Sequence, residues 1–199
     1  MRRAIGKFLI ILVLFFTACS TRDLLTRRLA ADLISSSDVF KSTQQFWLRT
    51  GLVSNKDYTS PESLVLQNRG WIGGVPAACT PQVNPPPCWD VYLTPLGVEA
   101  FRELAPRDAA NRQYFSVPIA KRELVGVTGV SRDVRAADVE FTWHWMPLNE
   151  VGQALVVAGV NYKSVVVFRH YDDGWRLMET APARRLGLDE ALKNAEAIP

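Results

Sequence analysis

The sequence predicts an α+β protein: helices gathered in the first half, and an antiparallel, curved sheet packed with them in the second. Three observations carry this. Val139, Phe141, Trp143 and Trp145 alternate with Glu140, Thr142, His144 and Met146, the period of a half-buried strand. Asp173-Gly174 sits between two apolar runs, Tyr162 to Tyr171 and Trp175 to Met178, as a hairpin turn does. Ser60-Pro61 and Thr94-Pro95 each place a capping hydroxyl before a proline at the first helical position.

Residues 1–18 are not counted as structure. Arg2, Arg3 and Lys7 precede an apolar run from Phe8 to Phe16, and the small residues Thr17 and Ala18 precede Cys19, the order of a secretory signal. The run is about nine residues long, far short of the roughly 20 needed to cross a bilayer, and Ser20, Thr21, Arg22 and Asp23 follow it. The stretch FTAC resembles the bacterial lipobox, with Phe16 where leucine is usual. The resemblance implies a diacylglyceryl group on the Cys19 thiol, cleavage before it and attachment to a membrane with the body in water. Ser20, rather than aspartate, follows the cysteine, which in Gram-negative lipoproteins points to the outer membrane. The alternative is an ordinary cleaved signal with an incidental cysteine.

Of the 199 residues, 23 are basic and 20 acidic, a formal charge of +3. All three surplus charges lie in the signal, so the mature chain of about 180 residues is neutral. It carries no basic block, and nucleic acid is not an expected partner. With Cys19 acylated, Cys79 and Cys88 remain as a pair in an oxidising compartment, and a disulfide between them is expected. It closes the proline-rich CTPQVNPPPC. A metal or redox pair is the other reading, with His144 and His170 far off in sequence. No motif implies a cofactor.

Along the chain, Ser20 to Asp23 form a capping-box pattern for a helix to about Ile34, with Leu25, Leu29, Ala30, Leu33 and Ile34 on one stripe and Ser35 to Ser37 as its stop. Packing against the body is the common use of such a stripe, and a membrane surface is the alternative. Residues 19–36 thus hold the anchor and this helix, and 37–199 form one periplasmic domain. Asp38 to Val53 suggests a strand. A helix from Pro61 ends at Gly70, Val91 and Leu93 form a short strand, and a second helix from Pro95 carries Val98, Phe101 and Leu104. Tyr114 to Val130 reads as one long or bent strand, with Pro118 at an edge or bulge and Gly126 and Gly129 easing curvature. Asn149 starts a short helical or loop segment through Leu155 and Val156, and Leu188 to Ala197 is a short terminal helix.

The order helix, glycine turn, hairpin, then VYLTPLGVEAF resembles the wing and final helix of winged-helix domains over 60–105. Ser60 to Gly70 has only Arg69 as a basic residue, so the resemblance implies a packing or partner surface and not a DNA reader. Over 113–180, VTGV, VEFTWHW and VVVFRHYDDGWRL look like uncharacterised bacterial lipoproteins and, more distantly, like the curved sheets of ketosteroid-isomerase-like or cystatin-like domains. No catalytic residue transfers with that likeness.

The candidate pocket or core residues are Tyr114, Glu140, Trp143, His144, Trp145 and Phe168. A histidine paired with a carboxylate is general-base chemistry, yet Glu140 and His144 stand about 13 Å apart along one strand. An exposed His144 is the expectation, and His170 is expected to flank its turn in solvent. Trp143, Trp145, Trp175, Phe141, Phe168 and Tyr171 line a sheet pocket or fill a core, core filling being the commoner use of aromatics. Asp172, Asp173 and Glu179 suggest a cation site, but Asp-Asp-Gly at a turn is explained by backbone geometry alone. The function these readings favour is a non-enzymatic binding or assembly role for a membrane-anchored envelope lipoprotein with an envelope protein partner. The alternative is a small-molecule binder or isomerase- or hydrolase-like enzyme using the aromatic pocket.

Overall fold

The computed structural model describes residues 24–80, 86–104, 114–157, 159–180 and 185–198. The expected signal at residues 1–18, Cys19 and the cap expected at Ser20 to Asp23 lie outside them. No helix among the described residues is long and apolar enough to cross a membrane.

Helix α1 (Arg27–Ser36) starts later than expected and ends later. Thr26 is its N-cap, its hydroxyl accepting from the Leu29 N–H at 3.1 Å. Ser35 and Ser36 continue the helix instead of stopping it, because a hydroxyl in the last turn can bond back to a carbonyl, as Ser36 does to Leu33. Ser37 ends α1 and caps α2 (Asp38–Lys41). The stripe packs as expected: Leu25, Ala30 and Ile34 are buried, with Leu29 and Leu33 against the same core.

The strand expected over 38–53 is instead α2 followed by two strands in two different sheets. These are β1 (Gln44–Arg49) and β2 (Gly51–Ser54), separated at Thr50. Gly51 has φ 77°, a left-handed conformation that glycine adopts without a Cβ penalty. After β2 come α3 (Asn55–Tyr58), α4 (Pro61–Asn68), β3 (Ile72–Ala77), β4 (Cys88–Leu93) and α5 (Pro95–Phe101). The strands form a small sheet in the order β2-β4-β3. Ser60 and Thr94 cap α4 and α5 through the Ser63 and Gly97 N–H groups. Cys79 and Cys88 form the disulfide, with Cα atoms 5.3 Å apart. Val98 does not face inward as its spacing suggested. Gly97 and Phe101 do, because α5 lies so close to the Trp71 carbonyl that Gly97 has no room for a Cβ.

The larger sheet holds β5 (Tyr114–Arg132), β6 (Ala136–Pro147), β7 (Asn161–Tyr171), β8 (Gly174–Leu177) and β9 (Glu196–Ile198), with α6 (Glu150–Leu155) and α7 (Leu188–Lys193) packed on it. Its order is β1-β5-β6-β7-β8, with β9 also on β7 and every pair antiparallel. The terminal helix therefore stops at Lys193, and residues expected to extend it pair as β9 with Asn161 to Lys163. Between β8 and β9, Val167 donates to the Leu186 carbonyl and accepts from the Met178 N–H.

Strand β5 is curved by residues without a partner opposite. Ile119 is skipped in the pairing with β1, and Val125 and Thr128 in the pairing with β6. Each is a bulge, two residues opposing one, which bends the strand. The two bulges against β6 set Leu124, Val127 and Val130 opposite Trp143, Phe141 and Val139. A spacing of three thus serves one face, which a regular strand allows only at a spacing of two.

Two apolar clusters result. The first joins α1, α2, α7 and the sheet around Phe40, Phe141, Trp143, Phe168 and Trp175; the second joins β1, the small sheet, α4, α5 and α6 around Leu48, Leu66, Trp71, Phe101, Val117 and Val151. Helix α6 rests its backbone on β5: Gly152 abuts the Ile119 carbonyl, and Asn149 caps α6 while donating from Nδ2 to the Pro118 carbonyl at 2.6 Å.

Two outcomes are expected in urea denaturation. Reducing the disulfide lowers stability by about 2–3 kcal/mol, the loop-entropy value for a closure this short. Gly152→Ala forces a methyl onto backbone that cannot move aside and costs about 1–3 kcal/mol. Unchanged midpoints contradict both assignments.

Candidate functional site

Several aromatic residues of the large sheet pack into its interior. Phe141 and Phe168 are fully buried and Trp143 is 2 % exposed. Trp143 stacks on Tyr162 at 4.8 Å and meets Trp145 edge-on at 5.3 Å. Its indole N–H donates to Ser164 Oγ at 3.0 Å, and that hydroxyl donates to the Ala191 carbonyl at 2.9 Å. This gives the buried indole the partner it needs and ties α7 to the sheet. Trp175 belongs to the same core, whereas Tyr171 is exposed.

Arg122 closes this core beside α2. Its guanidinium lies 4.6 Å from the Trp145 ring centroid and 5.5 Å from that of Trp143, and Nη1 donates to the carbonyls of Val39 and Ser42. Burial pulls its pKa below the ordinary arginine value, with Asp189 acting in the opposite direction. The stacked planar cation and its fork of donors are what lysine could not reproduce here.

Glu140 and His144 do not meet, as the strand rise required. Glu140 pairs with Lys163 at 2.8 Å and accepts from Thr128 at 2.7 Å. The Lys163 contact, then Thr128, holds its carboxyl below the ordinary range. His144 is not free in solvent as expected: it is half-buried, with Nε2 3.6 Å from a Glu123 carboxylate oxygen on β5. His170 is half-buried too, its ring 5.0 Å from Trp175. No group of three or more His, Cys, Asp or Glu side chains that could hold a metal ion occurs among the described residues.

Tyr114 lines a groove that lies away from the sheet's aromatic interior, while Tyr171 borders a separate cleft with Arg135, Arg169 and His170. A groove of about 290 Å³ opens where the two sheets diverge at Thr50. Leu48, Val53, Leu66, Ile72 and Val91 form its buried floor. Trp47 and Tyr114 stack at one wall with rings 5.0 Å apart, and each is more than half exposed, 55 % and 54 %. Arg49 pairs with Asp57 at 3.1 Å at the rim, beside Ser60, Glu62 and Ser63. At the other wall Tyr58 stacks on Trp89 at 4.5 Å. The Tyr58 ring occupies the space over Gly74 where a Cβ would come within 2.7 Å of it, so the missing side chain at 74 shapes that wall.

The sequence pattern missed Trp47, Arg49, Asp57 and Tyr58. Trp47 alternates with Phe46 and Leu48, and nothing local says which of three adjacent apolar residues points outward. The stacking partner of Trp47 is 67 positions away, and convergence of two sheets is needed to bring them together.

No family model, curated protein or solved structure matches this chain. Fold and site together define a class: a mixed α+β protein with a curved antiparallel sheet, a disulfide-closed smaller sheet, and an aromatic-walled groove between them.

The exposed and buried tryptophans should separate cleanly on truncation. Trp143→Ala is expected to cost about 3–5 kcal/mol in urea denaturation, whereas Trp47→Ala stays within about 1 kcal/mol, since its stacking is largely in solvent. Equal losses would remove the reason for treating the Trp47 wall as a binding surface.

Proposed function

We propose that this chain is a bacterial envelope lipoprotein, held through a diacylglyceryl group on Cys19 and facing the periplasm from the outer membrane, that works by binding and not by catalysis. The observation that carries this is the order of basic, apolar and small residues ending on Cys19, in a chain whose two other cysteines form a disulfide. A structural disulfide belongs with an oxidising compartment.

Binding is favoured over chemistry by what surrounds the ionisable groups. The aromatic sheet residues proposed for an enzyme pocket are core residues, and His144 and Glu140 are engaged by different partners. The groove lining has an ion pair, hydroxyls, Glu62 and two stacked aromatics, but no histidine or cysteine. Apolar walls with a few polar groups at the rim suit recognition. The smaller lobe places a hairpin between two capped helices. Leu64, Tyr92, Leu96 and Val98 are exposed there, a surface suited to a protein neighbour.

Intact-mass measurement of the mature protein is expected to show acyl mass on a chain beginning at Cys19; its absence ends the lipoprotein reading. Crosslinking in intact cells is expected to capture an envelope protein stoichiometrically, and Trp47→Ala with Tyr114→Ala to reduce capture at least tenfold. A chain that stays alone under several crosslinkers contradicts the binding role.

A further inference from the structure

We infer that the β5–β6 hairpin tip is a second, non-covalent membrane contact, with Val134 entering the interfacial layer of an anionic phospholipid surface and the surrounding arginines pairing with its headgroups. This rests on the reading of Cys19 as the lipid-bearing residue. Three independent features of the described residues converge on it.

The first is reach. Leu25 stands six residues after Cys19, a separation that no chain can stretch beyond about 22 Å. Leu25 is fully buried, and its carbonyl accepts from Arg132 Nη2 at 2.7 Å. Arg132 is the last residue of β5. The hairpin end of the sheet is therefore fastened to the part of the body that cannot leave the anchor.

The second is the tip itself. Asp133 and Ala136 close the turn through a backbone bond of 2.7 Å, and the Val134 N–H is held by Asp133 Oδ1. Val134 projects with 89 % of its surface exposed, the most exposed large apolar residue among the described ones. Nothing in a tight turn between strands calls for a β-branched apolar residue, which is disfavoured there relative to Gly, Asn or Asp. An interfacial surface gives it a place.

The third is charge. Around this end lie Arg27 and Arg28 at the start of α1, Arg135 beside Val134, and Arg169 directly across from Ala136 on β7. All four are exposed and make no ion pair among the described residues. The carboxylates nearby are fewer and partly engaged: Asp133 and Asp138 face Arg185 at 4.0 and 3.9 Å, and Asp173 is paired with Arg176, leaving Asp172 and, one turn after Arg28 on α1, Asp32. In a mature chain that is neutral overall, this end carries a local excess of arginine. Each arginine at an anionic surface strengthens binding about fivefold, and the guanidinium fork matches phosphate. Covalent tethering makes such weak contacts effective, because they form within the same complex.

The test uses the acylated full-length protein in vesicles containing phosphatidylglycerol. With Cys19 acylated and Cys79 bonded to Cys88, Val134→Cys supplies one reactive thiol for a fluorophore; Val98→Cys, on the distant lobe, supplies the reference. A quencher carried on the lipid chains is expected to quench the label at 134 at least threefold more than that at 98. Arg135→Gln with Arg169→Gln, or pure phosphatidylcholine vesicles, should reduce the difference. Equal quenching at both positions on protein whose mass shows the acyl group overturns the hairpin contact alone. A mass without the acyl group overturns the anchor reading and this inference with it.

Discussion

Strand β5 belongs to both apolar clusters, and that shared membership constrains everything around it. Val117 and Ile119 pack in the cluster of the smaller sheet, while Leu124, Val127 and Val130 pack in that of the larger one. A single straight strand of 19 residues could not follow both. The skipped residues at 119, 125 and 128 resolve the conflict by bending the strand and resetting which side chains face inward. Helix α6 lies at the first of these, with a glycine against the Ile119 carbonyl and Asn149 on that of Pro118. Proline costs no pairing at 118, since β6 joins β5 only from Ala120.

The groove follows from the same arrangement. Because β1 pairs with β5 and β2 pairs with β4, the chain must leave one sheet for another across Thr50. The floor closes with aliphatic side chains, and the walls are the aromatics that no longer have a sheet to cover them. Tyr58 and Trp89 find each other, as do Trp47 and Tyr114. Removing an aromatic from a filled core and removing one from such a wall are different physical events, even where the local sequence looks alike.

Much of the fold was legible because its signals are local. Ser60-Pro61, Thr94-Pro95, Asn149 and Asp173-Gly174 each specify a cap or turn within four residues, and the alternation from Val139 to Trp145 requires no knowledge of its neighbours. The cysteine pairing followed from counting. Failures came where a tertiary partner decides: the serines after Ile34 continue a helix, residues 196–198 join β7, and Val98 yields the inward side of α5 to Gly97. The groove was illegible apart from Tyr114, since its walls come from segments paired only through the sheets. Cys19 lies outside the described residues and rests on the sequence alone.

The last strand has a consequence for the membrane anchoring proposed above. β8 and β9 pair with opposite ends of β7, and Val167 between them bonds to Leu186 and Met178. These short segments occupy backbone groups that would otherwise offer a template to a strand from another molecule. Under the proposed anchoring, tethered copies would share a thin layer and collide far more often than free ones, so an open edge there would invite chain-to-chain aggregation. The three residues of β9 make few contacts with the core, yet they blunt one end of that edge, and so matter more to the crowd than to the single fold.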